Sequence, residues 1–149
     1  TGIQMFHKDL KNGQAKPGYN VGCLLRGVDI DKIERGMVLC KPGSVQCHSK
    51  VKATIYALST KEGGRKTPFF VNYRPQAYIR TADITVTIDS VNDQTKEVMV
   101  KPGDRAEVVL SFHSAAPIEV GLGFALREGK KTVGAGTVME ILSEPVTKK

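Results

Sequence analysis

The sequence predicts an all-β protein, a sandwich or a barrel. Two observations carry this: several short runs alternate apolar with polar residues, and Pro-Gly pairs punctuate the chain between runs. Val21-Gly22-Cys23-Leu24-Leu25 and Met37-Val38-Leu39-Cys40 are apolar runs bounded by glycine and read as strands. Between them the residues from Asp29 to Gly36 read as one or two helical turns. Asp29 can cap the first N–H groups, and Gly36 can end the turn. Val51, Ala53, Ile55 and Ala57 then alternate with Lys52, Thr54 and Tyr56, the period-2 pattern of a half-buried strand. Ile84, Val86 and Ile88 alternate with Thr85, Thr87 and Asp89, and Ala106, Val108, Leu110 and Phe112 with Glu107, Val109 and Ser111. Phe124-Ala125-Leu126 and the run from Thr137 to Leu142 complete the set. Pro17-Gly18, Pro42-Gly43 and Pro102-Gly103 each fit a tight turn, since proline presets φ and glycine accepts φ > 0. Two similar all-β units are expected, with a boundary near Cys47 to Lys50.

The 149 residues suffice for one ordinary domain, or a small domain plus a fragment. Lys and Arg outnumber Asp and Glu by 22 to 15, and a net charge of +7 favours a polyanionic partner. No apolar run approaches the ~20 residues of a membrane-spanning helix, and no membrane partner is expected. No signal peptide is recognised at the start. Cys23, Cys40 and Cys47 are odd in number and lack CxxC spacing. Free, mostly buried thiols are therefore expected rather than a disulfide framework.

Catalytic constellations are missing. Gly129-Lys130-Lys131-Thr132 ends like a phosphate loop, but Phe124 stands where the first glycine belongs and Lys131 where Ser or Thr belongs. His7, His48 and His113 are scattered, and Cys40 with Cys47-His48 offers at most three metal ligands at unusual spacing. Cys47 and His48 are adjacent, so on a strand they point to opposite faces. The signal that remains is basic and aromatic. Lys61-Glu62-Gly63-Gly64-Arg65-Lys66-Thr67-Pro68-Phe69-Phe70 runs into Tyr73-Arg74-Pro75-Gln76 and on to Thr85. Arginine forks and lysine charges bind phosphate, glycines allow close backbone approach, and Gln76 and Thr85 can donate to phosphate or ribose hydroxyls.

This stretch, with Tyr73-Arg74-Pro75-Gln76 and Arg80-Thr81-Ala82-Asp83-Ile84-Thr85, resembles the third domain of the elongation factor Tu family. Asn20-Val21-Gly22, Ile33-Glu34-Arg35-Gly36-Met37-Val38-Leu39 and Lys41-Pro42-Gly43-Ser44 resemble the second half of its second domain. Met99-Val100-Lys101-Pro102-Gly103-Asp104, Phe124 to Gly129 and Thr132 to Gly136 resemble the end of the third. The resemblance implies an antiparallel Greek-key-type β-barrel over 47–149, preceded by part of a second β-barrel over 1–46. It further implies the C-terminal part of a translational GTPase that delivers aminoacyl-tRNA to the ribosome. The GTPase domain, with its GTP and magnesium, would lie outside this piece, which would be no enzyme and hold no cofactor of its own. Aminoacyl-tRNA, the protein's own GTPase domain, the ribosome and the exchange factor elongation factor Ts are the implied partners. A bacterial cytoplasm, a mitochondrial matrix or a plastid stroma is the implied location.

By position, the resemblance assigns Arg65, Lys66, Gln76 and Thr85 to the face that meets the tRNA T-stem, with Glu128 and Gly129 as a second part of it. Arg35 would lie near the tRNA 5′ phosphate. Gln4, His7 and Asn20 would line the site for the 3′ adenosine and amino acid. Gln4 stands where the family usually has Glu, His7 where it has Arg, and Lys66 where it has His. The tail 144–149 runs past the usual end and is expected to be flexible.

Overall fold

The computed structural model describes residues 1–146. The end of the tail expected to be flexible, 147–149, lies outside the described residues. Two compact units divide the chain, Thr1–Glu34 and a second from Arg35 onward. In the first, β1 (Gly2–Met5), β2 (Lys8–Asp9) and β3 (Gly22–Leu24) form an antiparallel sheet in the order β2-β1-β3. The helical turn expected from Asp29 to Gly36 shrinks to a 3₁₀ turn, Ile30–Lys32, ended by Ile33. Asp29 makes no side-chain cap there and instead pairs with Lys32 at 3.0 Å.

The second unit carries β4 (Cys47–Ala57), β5 (Phe69–Phe70), β6 (Gln76–Ile79), β7 (Ala82–Val91), β8 (Met99–Val100), β9 (Arg105–Pro117), β10 (Gly123–Glu128) and β11 (Lys131–Ile141). Six of these close an antiparallel barrel in the order β10-β11-β4-β9-β7-β6, and β5 pairs with β8 beside it. Closure leaves no free edge among the six strands, so each backbone ladder is satisfied on both sides. Met37-Val38-Leu39-Cys40 joins no ladder, against the sequence expectation. An apolar run becomes a strand only by pairing, and Leu39 stays 71% exposed.

The inward faces follow the sequence alternation. Val51, Ala53, Ile55 and Ala57 of β4, Val86 and Ile88 of β7, and Ala106, Val108, Leu110 and Phe112 of β9 are buried together with Leu126 and Val138. Bulges break the alternation where two neighbours are both buried. The β7–β9 register shifts between Ile88 and Ser90, which turns consecutive Ser90 and Val91 inward. The three Pro-Gly pairs make one recurring turn. Lys16, Lys41 and Lys101 each accept a hydrogen bond at the carbonyl from the residue three on, at 3.1, 3.0 and 3.0 Å. The glycine φ values in these turns are +87°, +76° and +92°, as a type II turn requires.

The thiols are free, but Cys23 and Cys40 are exposed and only Cys47 is half-buried. The expectation of burial fails because Cys23 lies on a strand with no buried residue and Cys40 on a run outside the ladders. His48 is buried, and its Nδ1–H donates to the Ser143 carbonyl at 3.1 Å.

Candidate nucleic-acid interface

The basic stretch begins on a short scaffold. Ser59 precedes the 3₁₀ turn Thr60–Glu62, and one carboxylate oxygen of Glu62 accepts from the Ser59 N–H at 2.9 Å, the Ser59 hydroxyl at 2.7 Å and the Tyr56 hydroxyl at 2.7 Å. The Tyr56 bond, then the two from Ser59, hold the Glu62 carboxyl below its ordinary value, while the same Glu62 bond pushes the Tyr56 phenol up. Gly64 N–H donates to the Ser59 carbonyl at 2.9 Å. A Cβ on Gly64 would stand 2.0 Å from the Leu58 carbonyl oxygen. Gly64 therefore serves close approach of the loop to its own backbone, not to a phosphate as its sequence setting implied.

That turn delivers Arg65 into a packed slot. Its guanidinium carbon lies 4.4 Å from the Tyr73 ring centre and 5.9 Å from that of Phe69, and the two rings are themselves 5.0 Å apart. Nη1 faces the Glu128 carboxylate at 3.8 Å, and the Arg65 side chain is 20% exposed. Nε and Nη1 are buried without a hydrogen-bond acceptor, lying over aromatic faces instead. Burial raises the Tyr73 phenol above its ordinary value, against the opposing pull of the Arg65 charge. Lys66, the next residue, is exposed.

Beside this slot a transverse row runs across four strands. Thr132 of β11 pairs with Arg127 of β10, Arg127 with Gln76 of β6, and Gln76 with Thr85 of β7. Arg127 spreads over the Tyr78 ring at 5.2 Å and donates from Nη2 to the Lys130 carbonyl at 2.9 Å. Glu128, Gly129, Lys130 and Lys131 are exposed at the β10–β11 turn. The structure thus brings Arg65, Lys66, Gln76, Thr85, Glu128 and Gly129 to one sector of the barrel. It keeps Arg35 apart. The neighbouring Gly36 packs on Ala82, which pairs with Ile79 at the other end of the β6–β7 hairpin. That end is ~10 Å along the strand from the Gln76–Thr85 pair.

The other candidates belong to the first unit. Gln4 pairs with Asp9 across the β1–β2 ladder and donates from Nε2 to its carboxylate at 2.9 Å. His7 sits exposed in the β1–β2 turn at φ +60°, and Asn20 is exposed two residues before β3. Only Gln4 is in a ladder, and its amide is already committed to Asp9.

Sequence reasoning missed Arg127 and the roles of Tyr73 and Tyr78. Arg127 follows the apolar Leu126 and precedes Glu128, so its outward position was legible. The ring beneath it comes from β6, and local spacing gives no sign of that.

A family model described as the elongation factor Tu C-terminal domain matches residues 44–142. The chain belongs to this family. The matched elongation factor Tu segment runs from just before β4 to just past β11 and so contains the whole barrel. It includes every barrel candidate above, while Arg35, Gln4, His7 and Asn20 fall before it. The chain is therefore a piece of a translation elongation factor with the all-β architecture of that domain. No helix among the described residues is long and apolar enough to cross a membrane. No three His, Cys, Asp or Glu side chains among them lie close enough together to hold a metal ion.

Proposed function

We propose that this chain is the C-terminal part of an elongation factor Tu that binds aminoacyl-tRNA and supports its GTP-dependent delivery to the ribosomal A site. Its barrel meets the T-stem backbone through the Arg65, Lys66, Gln76, Thr85, Glu128 and Gly129 sector. Arg35 serves the 5′ phosphate, and Gln4, His7 and Asn20 the 3′ end. GTP and magnesium belong to the GTPase domain of the parent, on which this piece docks. The observation that carries the reading is the convergence of ring-backed arginine, exposed Lys66, Lys130 and Lys131, and the polar Gln76–Thr85 pair on one sector. Duplex RNA presents phosphates and 2′-hydroxyls in a fixed A-form geometry, and such a set reads shape rather than sequence.

The test is aminoacyl-tRNA binding by the chain at several salt concentrations. Affinity should fall steeply with salt. Replacing Arg65→Ala together with Lys66→Ala should weaken binding and reduce the log–log salt slope by about one to two. Binding that ignores salt, or survives the double substitution unchanged, would sink the assignment.

A second reading, a module that binds the exchange factor elongation factor Ts, is favoured by one feature. Phe70 and Met99 pair across β5 and β8 and are 49% and 46% exposed. The neighbouring Phe69 is buried in the core, and Tyr73 and Tyr78 lie under arginines. Capture of the exchange factor that is lost on Phe70→Ser, with no tRNA shift, would favour this reading.

A further inference from the structure

We propose that Arg127 is a further RNA-contacting residue of this sector and that Tyr78 is the residue that positions it. The inference rests on the RNA reading above and deepens it. Arg127 stands in the transverse row between Thr132 and Gln76, one strand spacing from each. Its guanidinium carbon lies over the Tyr78 ring, 5.2 Å from its centre. One Nη2 hydrogen is used by the Lys130 carbonyl at 2.9 Å, and Nε is buried without an acceptor. Among the described residues, neither Nη1 nor the second Nη2 hydrogen is given a further acceptor.

The arrangement repeats that of Arg65, whose guanidinium lies over Tyr73 at 4.4 Å with Glu128 at one end. Two ring-backed forks thus flank the β10 end, one from the loop after β4 and one from β10 itself. An arginine held on a ring has already lost its rotamer freedom, so little more is lost when it meets a phosphate. A free lysine in the same place supplies the charge without the orientation. The tyrosine rings, half-buried, act through the arginines rather than on RNA.

The experiment uses the full chain and a short RNA hairpin as probe, with affinity measured over a salt series and folding checked by thermal melting. Arg127→Ala should lower affinity and reduce the log–log salt slope by about one. Arg127→Lys should keep the slope and still lose affinity. Tyr78→Leu should lose affinity about two- to fivefold at unchanged slope, because the charge stays but is no longer held. Tyr78→Phe keeps the ring and should bind like the parent. An Arg127→Ala chain with the parent slope and affinity overturns the RNA contact. A Tyr78→Leu chain that binds like the parent overturns the positioning role. If the parent chain does not bind the hairpin at low salt, it is the broader RNA reading that fails.

Discussion

The barrel and the N-terminal sheet are both antiparallel and both short of helix, yet they are held together differently. In the barrel, β4, β9 and β7 bury a continuous inner face in which Val51, Ile55, Ile88 and Leu110 have no exposed surface. In Thr1–Glu34 no residue reaches that state. Phe6 is 86% exposed, Leu24 64% and Ile30 85%. Hydrogen-bonded ladders exist in both, so ladders alone do not make a core. Closing six strands on themselves gives every inward side chain a neighbour across the barrel, whereas three short strands by themselves bury no residue fully.

Hydrogen exchange would expose the largest contrast. Amides of β4, β7 and β9 should exchange only through global opening, and those of β1, β2 and β3 close to the unprotected rate. That is a gap of about 5 kcal/mol or more in opening free energy. Comparable protection in both regions would break the comparison. A matched pair of glycine substitutions comes next. Gly64→Ala forces a Cβ onto the Leu58 carbonyl and should cost about 4 kcal/mol in denaturant unfolding. Gly22→Ala meets only the Gln4 carbonyl oxygen at 3.9 Å and should shift global stability by less than about 0.5 kcal/mol. Similar losses at both sites would mean that the first unit is as tightly packed as the second.

The smallest expected effect is on pH dependence. Glu62 binds its proton less readily in the folded chain than in the unfolded one, chiefly because of the Tyr56 hydrogen bond. Its stabilising contribution is therefore present above the ordinary glutamate value. It is lost as pH falls below the ordinary glutamate range and through the depressed folded value. Glu62→Gln should flatten the stability profile there and leave its neutral-pH shape alone. A profile unchanged by the substitution would remove Glu62 from the account of the loop.

Much of the barrel was legible from side-chain periodicity. The alternations at Val51–Ala57, Ile84–Ile88 and Ala106–Phe112 mark the inward faces correctly, because a strand exposes opposite faces at successive residues. The Lys-Pro-Gly turns were legible for the same local reason. The run Met37-Val38-Leu39-Cys40 misled because apolar composition does not by itself place a run in a ladder. The helical turn after Asp29 is present but only three residues long, because a cap residue and a glycine do not by themselves sustain a longer helix without a face to bury.

For the candidate site the split is the same. The identity of Arg65, Lys66, Gln76 and Thr85 as an interesting set came from the chain itself, through charge, aromatics and resemblance. That Arg65 is packed on Tyr73 and Arg127 on Tyr78, that Gln76 lies between Arg127 and Thr85, and that Gly64 guards a backbone contact came only with the fold. Sequence determined which face of each strand is apolar and where the chain turns, since both depend on near neighbours. Tertiary structure decided which strands close the barrel and which ring lies under which arginine. Those contacts join residues far apart in the chain, and only closure of the barrel brings them within reach.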